Sequence, residues 1–326
     1  MTKIAITGAS GHLGTAIVNE LLNKDGIEVT AQYHTQHPPI SGSNLTWIQG
    51  DLSKSSLEEL IKNSDYVIHC AALISISGPQ NGKVHETNVN GTKRVVEMCI
   101  ENKVKRLVHV SSTHALQEIP ADEVYDEKRP YKTAIDFAYD FSKARAEKYV
   151  LEIVRSGRLD ALIVRPSSML GPCDYKPSLL GAAIWDISKR KVPAMVKGGY
   201  NFVDVRDVAK AVVNSIEKGV KGESYNLTGT YFEMKDLANI ISSIAGVKPP
   251  RIIVPNFVIQ VAIPFIALQM KLTKNQPKFT KESILVLKHG HRMMSNEKAK
   301  TILGLKTRPI EESLRDLLRW FNQSRD

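Results

Sequence analysis

Residues 4–14 read IAITGASGHLG, an apolar run followed by three glycines at intervals of three residues. The apolar run is typical of a buried strand, and the segment after it has the pattern of an amphipathic helix. The backbone N–H groups at the N-terminus of such a helix bind anions, which the helix dipole also favours. We expect Gly8 to allow the tight turn, Gly11 the close approach of a pyrophosphate and Gly14 close helix–strand packing. The opening loop therefore predicts a dinucleotide site.

Strand-like apolar runs alternate with helical patterns through the first half of the chain. The predicted strands are Lys3–Thr7, Glu28–Tyr33, Leu45–Gln49, Tyr66–Cys70, Arg106–Ser111 and Ala161–Arg165. The predicted helices are Leu13–Leu22, Ser55–Asn63, Lys83–Asn102 and Asp136–Ser156. Such alternation predicts an α/β fold of the Rossmann type, a doubly wound parallel sheet with helices on both faces.

The pattern becomes less regular after Arg165, where glycines and prolines lie close together. Residues 202–214 have the pattern of a short strand and a helix that return to the first domain. The remainder is mainly helical and ends in an amphipathic helix from Ile310 to Phe321. We expect two domains, a nucleotide-binding one from residues 1–165 plus about 201–227, and a smaller substrate domain from about 166–200 and 228–326.

The composition limits the class of protein. The chain has 326 residues, 42% of them hydrophobic, and a formal net charge of +10. Its lysines and arginines are spread along the whole length, which favours a solvated basic surface over nucleic-acid binding. The cysteines, Cys70, Cys99 and Cys173, lack the spacing of a metal site, and we expect no metal and free thiols in a reducing compartment. The chain enters a strand at once, without a signal-peptide pattern, so we expect a cytoplasmic protein.

Residues 252–270 read IIVPNFVIQVAIPFIALQM and approach the length of a membrane span. The two prolines and several amide side chains in this stretch argue against an integral span. We expect a helix that packs over the substrate pocket. Contact with a membrane surface, or with a second copy in a homodimer, stays an open alternative.

Tyr139 and Lys143 form the kind of pair that reduction of a carbonyl group needs. An acid must protonate the substrate oxygen, and a tyrosine can do so when nearby positive charge lowers its pKa. The lysine follows four residues later, on the same face of a predicted helix. That helix comes after the fifth strand, near the sheet edge where open α/β folds bind ligands. The strand itself ends in the hydroxyl-rich run Ser111-Ser112-Thr113.

Together, these features resemble the extended and atypical short-chain dehydrogenases/reductases of the NAD-dependent epimerase/dehydratase superfamily, particularly the dihydroflavonol-reductase-like proteins. Further similar motifs cover nearly the whole chain, among them Gly50-Asp51-Leu52, His69-Cys70-Ala71-Ala72, Asn88-Val89-Asn90-Gly91-Thr92, Val164-Arg165-Pro166-Ser167-Ser168 and Phe202–Ala209. The resemblance implies that Thr113 hydrogen bonds to the substrate oxygen and that Tyr139 delivers the proton. It implies that Lys143 contacts the nicotinamide ribose and lowers the pKa of Tyr139. We expect Asn88 to tie its helix to the fourth strand.

The resemblance also implies which residues contact the cofactor. They are Gly8, Ser10, Gly11, His12, Leu13, Gly14, Tyr33, His34, Asp51, Leu52, Ala71, Ala72, Ser111, Pro166 and Ser168. Asp51 lies in the segment that matches the adenine contact of the resembled family. Pro166 and Ser168 lie in the segment that matches its nicotinamide contact.

The end of the second strand bears on the choice between NAD and NADP. A carboxylate at this position holds the ribose 2′-hydroxyl of NAD. Here Tyr33 stands at that position, and His34 follows where NADP-dependent members of the resembled family often carry arginine. No carboxylate repels a 2′-phosphate, so NADP(H) is favoured, and NAD(H) stays open because the arginine is missing as well.

These observations favour an NADP(H)-dependent oxidoreductase that reduces an aldehyde or ketone of a small, fairly apolar substrate. The apolar residues that suggest such a substrate are Leu179, Leu180, Ile184, Trp185 and residues 252–268. An NAD-dependent nucleotide-sugar epimerase or dehydratase is the first alternative, although a dehydratase needs carboxylates where His114-Ala115 stand. A non-catalytic NAD(P)-binding regulatory protein is the second alternative, and the Tyr139/Lys143 pair argues against it.

Overall fold

The computed structural model describes residues 1–254 and 280–325, and a seven-stranded parallel sheet forms its centre. The strands in chain order are β1 (Thr2–Thr7), β2 (Ile27–Tyr33), β3 (Leu45–Gln49), β4 (Tyr66–His69), β5 (Arg106–Val110), β6 (Ala161–Pro166), β7 (Ser168–Leu170), β8 (Ala194–Val196), β9 (Gly199–Asp204), β10 (Ser224–Leu227), β11 (Thr230–Glu233) and β12 (Ile252–Val254). The large sheet has the order β3-β2-β1-β4-β5-β6-β10. This is a doubly wound arrangement, so the predicted fold class is confirmed.

The helices connect these strands. In chain order they are α1 (His12–Leu22), α2 (Lys54–Ile61), α3 (Lys83–His85), α4 (Gly91–Glu101), α5 (Ala138–Arg155), α6 (Leu179–Ser188), α7 (Val205–Lys218), α8 (Met234–Ile244), α9 (Lys281–Lys288) and α10 (Ile310–Arg325). A π-helical turn, Glu86–Asn90, joins α3 to α4, so this part of the chain forms the one long helix that the sequence predicts. A short 3₁₀ turn, Thr113–Ala115, follows β5.

Both faces of the large sheet are buried, because successive side chains of a strand point to opposite sides. In β1, Ile4 and Ile6 join the core that α1 and α7 cover. Ala5 between them joins the core that α2, α4 and α5 cover. A strand that is buried on both faces consists almost entirely of apolar residues, which explains the continuous apolar run at the start of the sequence.

A smaller part of the structure is built on two short sheets. In one, β9 pairs parallel with β7 and antiparallel with β11, and in the other β8 pairs parallel with β12. Side chains of α6, α8 and α10 form its core, including Ile184, Leu237 and Leu317. β9 belongs to this smaller sheet, although its Val203 packs in the core of the large sheet together with α7.

Two later segments also pack on the large sheet. β10 is its edge strand beside β6, and Ala299 and Leu303 lie in the same core as α7. The chain therefore crosses between the two parts several times. Our division of it into two domains by residue ranges stays a prediction.

Crossing a bilayer takes a helix of about 20 mostly apolar residues. Among residues 1–254 and 280–325 no helix reaches the required length and apolarity. Of the apolar stretch 252–270, residues 252–254 form β12. The helix that we predict over the remainder of this stretch lies outside the described residues.

Candidate active site

The glycine loop joins β1 to α1 at the carboxyl edge of the large sheet. Gly8 has a φ of +67°, and a Cβ at this position would lie 2.6 Å from the backbone N of Ala71. A Cβ on Gly14 would lie 2.3 Å from the carbonyl O of Gly8. Both distances are shorter than van der Waals contact allows, so these two positions require glycine.

Gly11 is the N-cap of α1, and no side chain caps this helix end. The first backbone N–H groups of a helix have no partner within the helix. Gly11 is exposed, and a Cβ on it would lie 3.3 Å from the carbonyl O of Gly8, so the backbone itself forms the surface there. Uncapped N–H groups beside bare backbone fit the pyrophosphate of a dinucleotide, which they would hold by hydrogen bonds.

The side chains of the loop differ in how the protein uses them. Leu13 is buried in the core beneath α1. His12 Nε2 lies 3.1 Å from the carbonyl O atoms of both Gly171 and Pro172, which ties the loop to the segment after β7. Ser10 is half-buried at the turn. Among the described residues, the Ser10 hydroxyl makes no hydrogen bond to the protein, and its contact with a cofactor stays a prediction.

Two further predicted segments lie along the same edge. The backbone N–H of Ala71 donates to Thr7 Oγ1 at 3.3 Å, and Ala71 and Ala72 are half-buried just after β4. Asp51 is exposed after β3, and Leu52 beside it is buried. The Ser53 side chain and backbone N–H hydrogen bond to Asp51 and lower the pKa of its carboxyl group. The structure thus brings these segments to the edge where the glycine loop lies.

The end of β2 carries an aromatic cluster. Tyr33 is half-buried, with its ring centroid 5.1 Å from that of His37 and 6.2 Å from that of Trp47. His37 stacks on Trp47 at 5.2 Å. His34 is exposed beside them. A 2′-phosphate at this position would meet aromatic and imidazole groups and no carboxylate from the strand end.

Tyr139 and Lys143 lie one turn apart near the start of α5. The Lys143 ammonium group donates to the carbonyl O of Val110, the last residue of β5, at 2.9 Å. Burial lowers the pKa of Lys143 to about 8. Burial and the Asp140 carboxylate raise the pKa of Tyr139, and a hydrogen bond with the Ser112 side chain acts in the opposite direction. The site therefore holds a protonated phenol and, one turn away, a buried amine whose pKa is lowered to about 8.

The hydroxyl groups after β5 have different surroundings. Ser111 is buried, and its Oγ lacks a hydrogen-bond partner among the described residues, as fits a group that meets a bound cofactor. Ser112 Oγ accepts the backbone N–H of His114 at 3.1 Å and also hydrogen bonds to Tyr139. Thr113 is buried and lines the adjacent cavity. Its hydrogen bond to the substrate oxygen stays a prediction.

Asn88 is buried, with 2% of its surface exposed, and it contacts both the chain after β4 and the helix α5. Its Nδ2 donates to the carbonyl O of Leu73 at 3.0 Å and to Ser142 Oγ at 2.9 Å, and its Oδ1 accepts the Leu73 N–H at 2.7 Å. Ser142 Oγ donates to the carbonyl O of Tyr139 at 2.6 Å. Asn88 therefore ties the chain after β4 to the helix that carries the reactive pair.

One turn beyond Lys143, a buried ion pair holds α5 against β6. Arg165 Nε donates to the two carboxylate oxygens of Glu147 at 3.0 and 3.1 Å, and its Nη2 donates at 2.7 Å. The two residues are 1% and 0% exposed, respectively. The Glu147 charge also partly offsets the lowering of the Lys143 pKa by burial.

A cavity opens beside Thr113, between the large sheet and the smaller part. The described residues that line it are Thr113, His114, Glu118, Ser167, Ser168, Tyr200, Asn201, Val286, His289, Gly290, His291 and Met294. Most of these side chains are polar or ionisable. Ser168 thus lies at the cavity, as a residue beside the nicotinamide would, and Pro166 ends β6 two residues before it.

The apolar residues that we predict to form the substrate pocket lie elsewhere. Ile184 is buried in the core of the smaller part, and Leu180 and Trp185 pack against that core. Leu179 is 54% and Ile252 61% exposed. Ile253 and Val254 follow Ile252 in β12, and the remaining apolar residues of that set, from residue 255 onward, lie outside the described residues. Periodicity marks a residue as apolar, but which surface it covers depends on the tertiary packing.

No sequence motif marks several residues of the cavity. Tyr200 and Asn201 come from β9, and His289 and His291 follow α9, so pairing of distant segments brings them to Thr113. Of the residues that no motif marks, only His114 could be placed at the cavity from the sequence, because it directly follows Thr113. This imidazole lies with its Nδ1 3.4 Å from Asp140 Oδ1.

Comparison with known proteins shows which family the chain belongs to. The sequence profile of the NAD dependent epimerase/dehydratase family matches residues 4–228. Sterol demethylase protein B of Methylococcus capsulatus is 30% identical over 98% of this chain and 98% of its own length. A Synechocystis sp. protein whose name assigns it to the dihydroflavonol 4-reductases is 28% identical over 97% of this chain and 93% of its own. The crystal structure of gox2253 has a TM-score of 0.84 at 30% identity, over 99% of this chain and 98% of that one.

The matched profile extends from β1, before the glycine loop, to the end of β10, and it includes the helix that carries Tyr139 and Lys143. The relatives named above align with nearly the whole chain. The protein therefore belongs to the NAD-dependent epimerase/dehydratase family, and it is an NAD(P)-dependent oxidoreductase of the extended short-chain dehydrogenase/reductase type.

Proposed function

We propose that the protein uses NADP(H) to reduce the aldehyde or ketone group of a small molecule to an alcohol, with Tyr139 as the proton donor. One observation carries the proposal. Tyr139 and Lys143 lie on α5 beside the end of β5, at the same sheet edge as the uncapped glycine loop. A dinucleotide that lies along this edge would have its pyrophosphate at the loop and its nicotinamide near the phenol.

The residues at this end match the chemistry of carbonyl reduction. When bound, the nicotinamide supplies the hydride that adds to the carbonyl carbon. Negative charge then develops on the carbonyl oxygen, which needs a proton from the protein. Tyr139 is protonated because burial raises the pKa of its phenol. The Ser112 hydroxyl would stabilise the phenolate that remains after Tyr139 has given its proton away.

Lys143 would provide the positive charge that makes proton loss from Tyr139 easier. It lies one helical turn from Tyr139, and the Val110 carbonyl fixes its ammonium group. Burial lowers its pKa only to about 8, so most molecules carry the charge at neutral pH. Following the resemblance to the family, we propose that Lys143 also contacts the ribose hydroxyl groups next to the nicotinamide.

The choice of NADP(H) is supported at the end of β2. Tyr33 and His34 stand where a carboxylate would hold the 2′-hydroxyl of NAD. The net charge of +10 also favours the more anionic cofactor. Thr113 would hold the substrate oxygen, and the polar cavity beside it suits a carbonyl compound that carries further polar groups. The name of the Synechocystis relative supports reductase chemistry.

Replacement of Tyr139 by phenylalanine tests the proposal. We expect Tyr139→Phe to lower kcat by about 10²–10⁴-fold, because the variant lacks the proton that the alkoxide takes up. The measurement is NADPH oxidation, followed at 340 nm, with a panel of aldehydes and ketones. The matched control is Tyr149→Phe, which removes a hydroxyl from the same helix where Tyr149 donates to Glu97. We expect that variant to keep its activity.

Three results would contradict the proposal. Tyr139→Phe could retain most of the turnover, which would assign the proton donor to another group. NADPH and NADH could both fail to raise the melting temperature at concentrations well above micromolar. The purified protein could carry NAD through gel filtration, which would favour an epimerase that retains its cofactor.

A further inference from the structure

We propose that His114 is a positioning residue for proton transfer, and that its imidazolium neutralises the Asp140 carboxylate beside Tyr139. The inference rests on the proposed function, because it concerns how Tyr139 loses its proton. His114 lies in the 3₁₀ turn between β5 and the cavity, and its side chain is 28% exposed. Its ring centroid lies 6.3 Å from that of Tyr139. The ring lines the cavity beside Thr113.

Two carboxylates, those of Asp140 and Glu118, lie near His114 and favour its protonated form. Its Nδ1 lies 3.4 Å from Asp140 Oδ1 and 4.0 Å from Glu118 Oε1. Lys132 is the other cation here, but its ammonium group pairs with Glu118 and lies 3.7 Å from Asp136. Among the described residues, His114 is the only basic side chain within ion-pair distance of Asp140.

Asp140 needs such a partner because it is buried and adjacent to the proton donor. Its residue is 3% exposed, and it directly follows Tyr139 in α5. An uncompensated carboxylate there raises the pKa of Tyr139, which makes the phenol a weaker acid. A positive charge on His114 would offset that effect, because its Nδ1 lies 3.4 Å from the Asp140 carboxylate.

Other titratable groups face the cluster from the elements packed around it. Glu282 on α9 is close enough to interact with Asp140, and Tyr200, His289 and His291 line the same cavity. Burial lowers the pKa of His114, but the Asp140 and Glu118 carboxylates outweigh it, and the pKa is raised overall. Because the folded-state pKa is raised, the imidazolium is present at low pH and is lost as the pH rises through that value.

The raised pKa of His114 determines how the reaction depends on pH. Above the pKa of His114, Asp140 is no longer neutralised, Tyr139 holds its proton more tightly, and reduction slows. Lys143, with its pKa of about 8, loses its charge at higher pH and adds a separate decline. The wild-type kcat for reduction should therefore fall in two steps, one at the raised pKa of His114 and one near pH 8 for Lys143, and the His114 step should depend on Asp140.

A double-mutant cycle tests the proposal through the pH profile of kcat. We expect His114→Gln to abolish the first step and to lower kcat at pH 6 by up to about tenfold, because the Asp140 charge then acts on Tyr139 without compensation. His114→Gln combined with Asp140→Asn should recover most of that loss, because the charge that His114 offsets is then gone. His85→Gln, which alters an imidazole outside the cavity, serves as the control and should keep both steps.

One measurement does not depend on turnover. We expect the imidazole pKa of His114, followed by NMR, to fall when Asp140 becomes Asn. We expect His85→Gln, the matched control, to leave that imidazole pKa unchanged. If the double variant is as slow as His114→Gln at every pH, the proposed neutralisation is wrong. If Tyr139→Phe is fully active, the proposed function is wrong, and the NMR result then decides only the His114–Asp140 pair.

Discussion

The two ends of the proposed cofactor groove are built in different ways. The phosphate end, which comprises Gly8, Gly11 and Gly14, presents bare backbone and an uncapped helix N-terminus. The reaction end, which comprises Tyr139, Lys143 and the residues that hold them, consists of buried ionisable side chains. The first end depends on the absence of side chains, so a short pattern specifies it. The second depends on charges that must be placed and paired by tertiary contacts.

The largest expected effect is a loss of stability when the buried ion pair at the reaction end is broken, a change that leaves the phosphate end intact. Glu147→Ala leaves the Arg165 guanidinium buried without its carboxylate partner, and removing one member of a buried ion pair costs about 3–5 kcal/mol. We expect this loss in the free energy of unfolding measured with urea. The control is Glu152→Ala, an exposed position on the same helix, where the change should stay within about 0.5 kcal/mol. A loss below about 1 kcal/mol for Glu147→Ala would show that water or other groups satisfy Arg165.

The next effect concerns the phosphate end and separates folding from binding. Gly14→Ala places a Cβ against the backbone of Gly8, and we expect it to lower the free energy of unfolding by about 1–3 kcal/mol. Gly11→Ala meets only a 3.3 Å approach to the Gly8 carbonyl O, so the loss of stability should be smaller than for Gly14→Ala. Its Cβ would keep the pyrophosphate from the backbone N–H groups, and we expect the Kd for NADPH to rise roughly tenfold or more, the energy of one hydrogen bond to a charged group. Thermal unfolding and fluorescence titration of NADPH measure the two quantities. Equal binding by wild type and Gly11→Ala would place the pyrophosphate elsewhere.

The smallest expected effect concerns Tyr33, at the end of β2, where we expect the adenosine ribose of the cofactor to lie. Tyr33→Asp introduces a carboxylate that would repel a 2′-phosphate and accept a hydrogen bond from a 2′-hydroxyl. We expect the ratio of kcat/KM for NADPH to that for NADH to fall roughly fivefold, an exposed electrostatic effect of about 1 kcal/mol. Thr35→Asp, two residues farther along the exposed loop, is the control for the added charge. An unchanged ratio for Tyr33→Asp would mean that this strand end does not contact the ribose.

The sequence predicts much of the fold because the signals for it are local. The alternating strands and helices of the first half depend on periodicity and turn residues, and the structure contains each of them. The cavity is different, since Asn201 and His291 reach Thr113 only through the pairing of β9 and the position of α9. The apolar Ile184 and Trp185 are as periodic as any core residue, and they pack in the core of the smaller part and not in the pocket. Sequence patterns identify apolar faces, but they do not say which neighbour each face meets.

The position of β10 has a consequence for how the chain can be made and divided. This strand completes the large sheet beside β6, yet the chain reaches it only after β7, α6, β8, β9 and α7. During synthesis, one edge of the nucleotide fold therefore stays open until residue 227 has left the ribosome. A fragment that ends after Arg165 keeps that open edge, which can pair with another chain. The segment between β6 and β10, which contributes Tyr200 and Asn201 to the cavity beside Thr113, is thus an insertion within the large sheet.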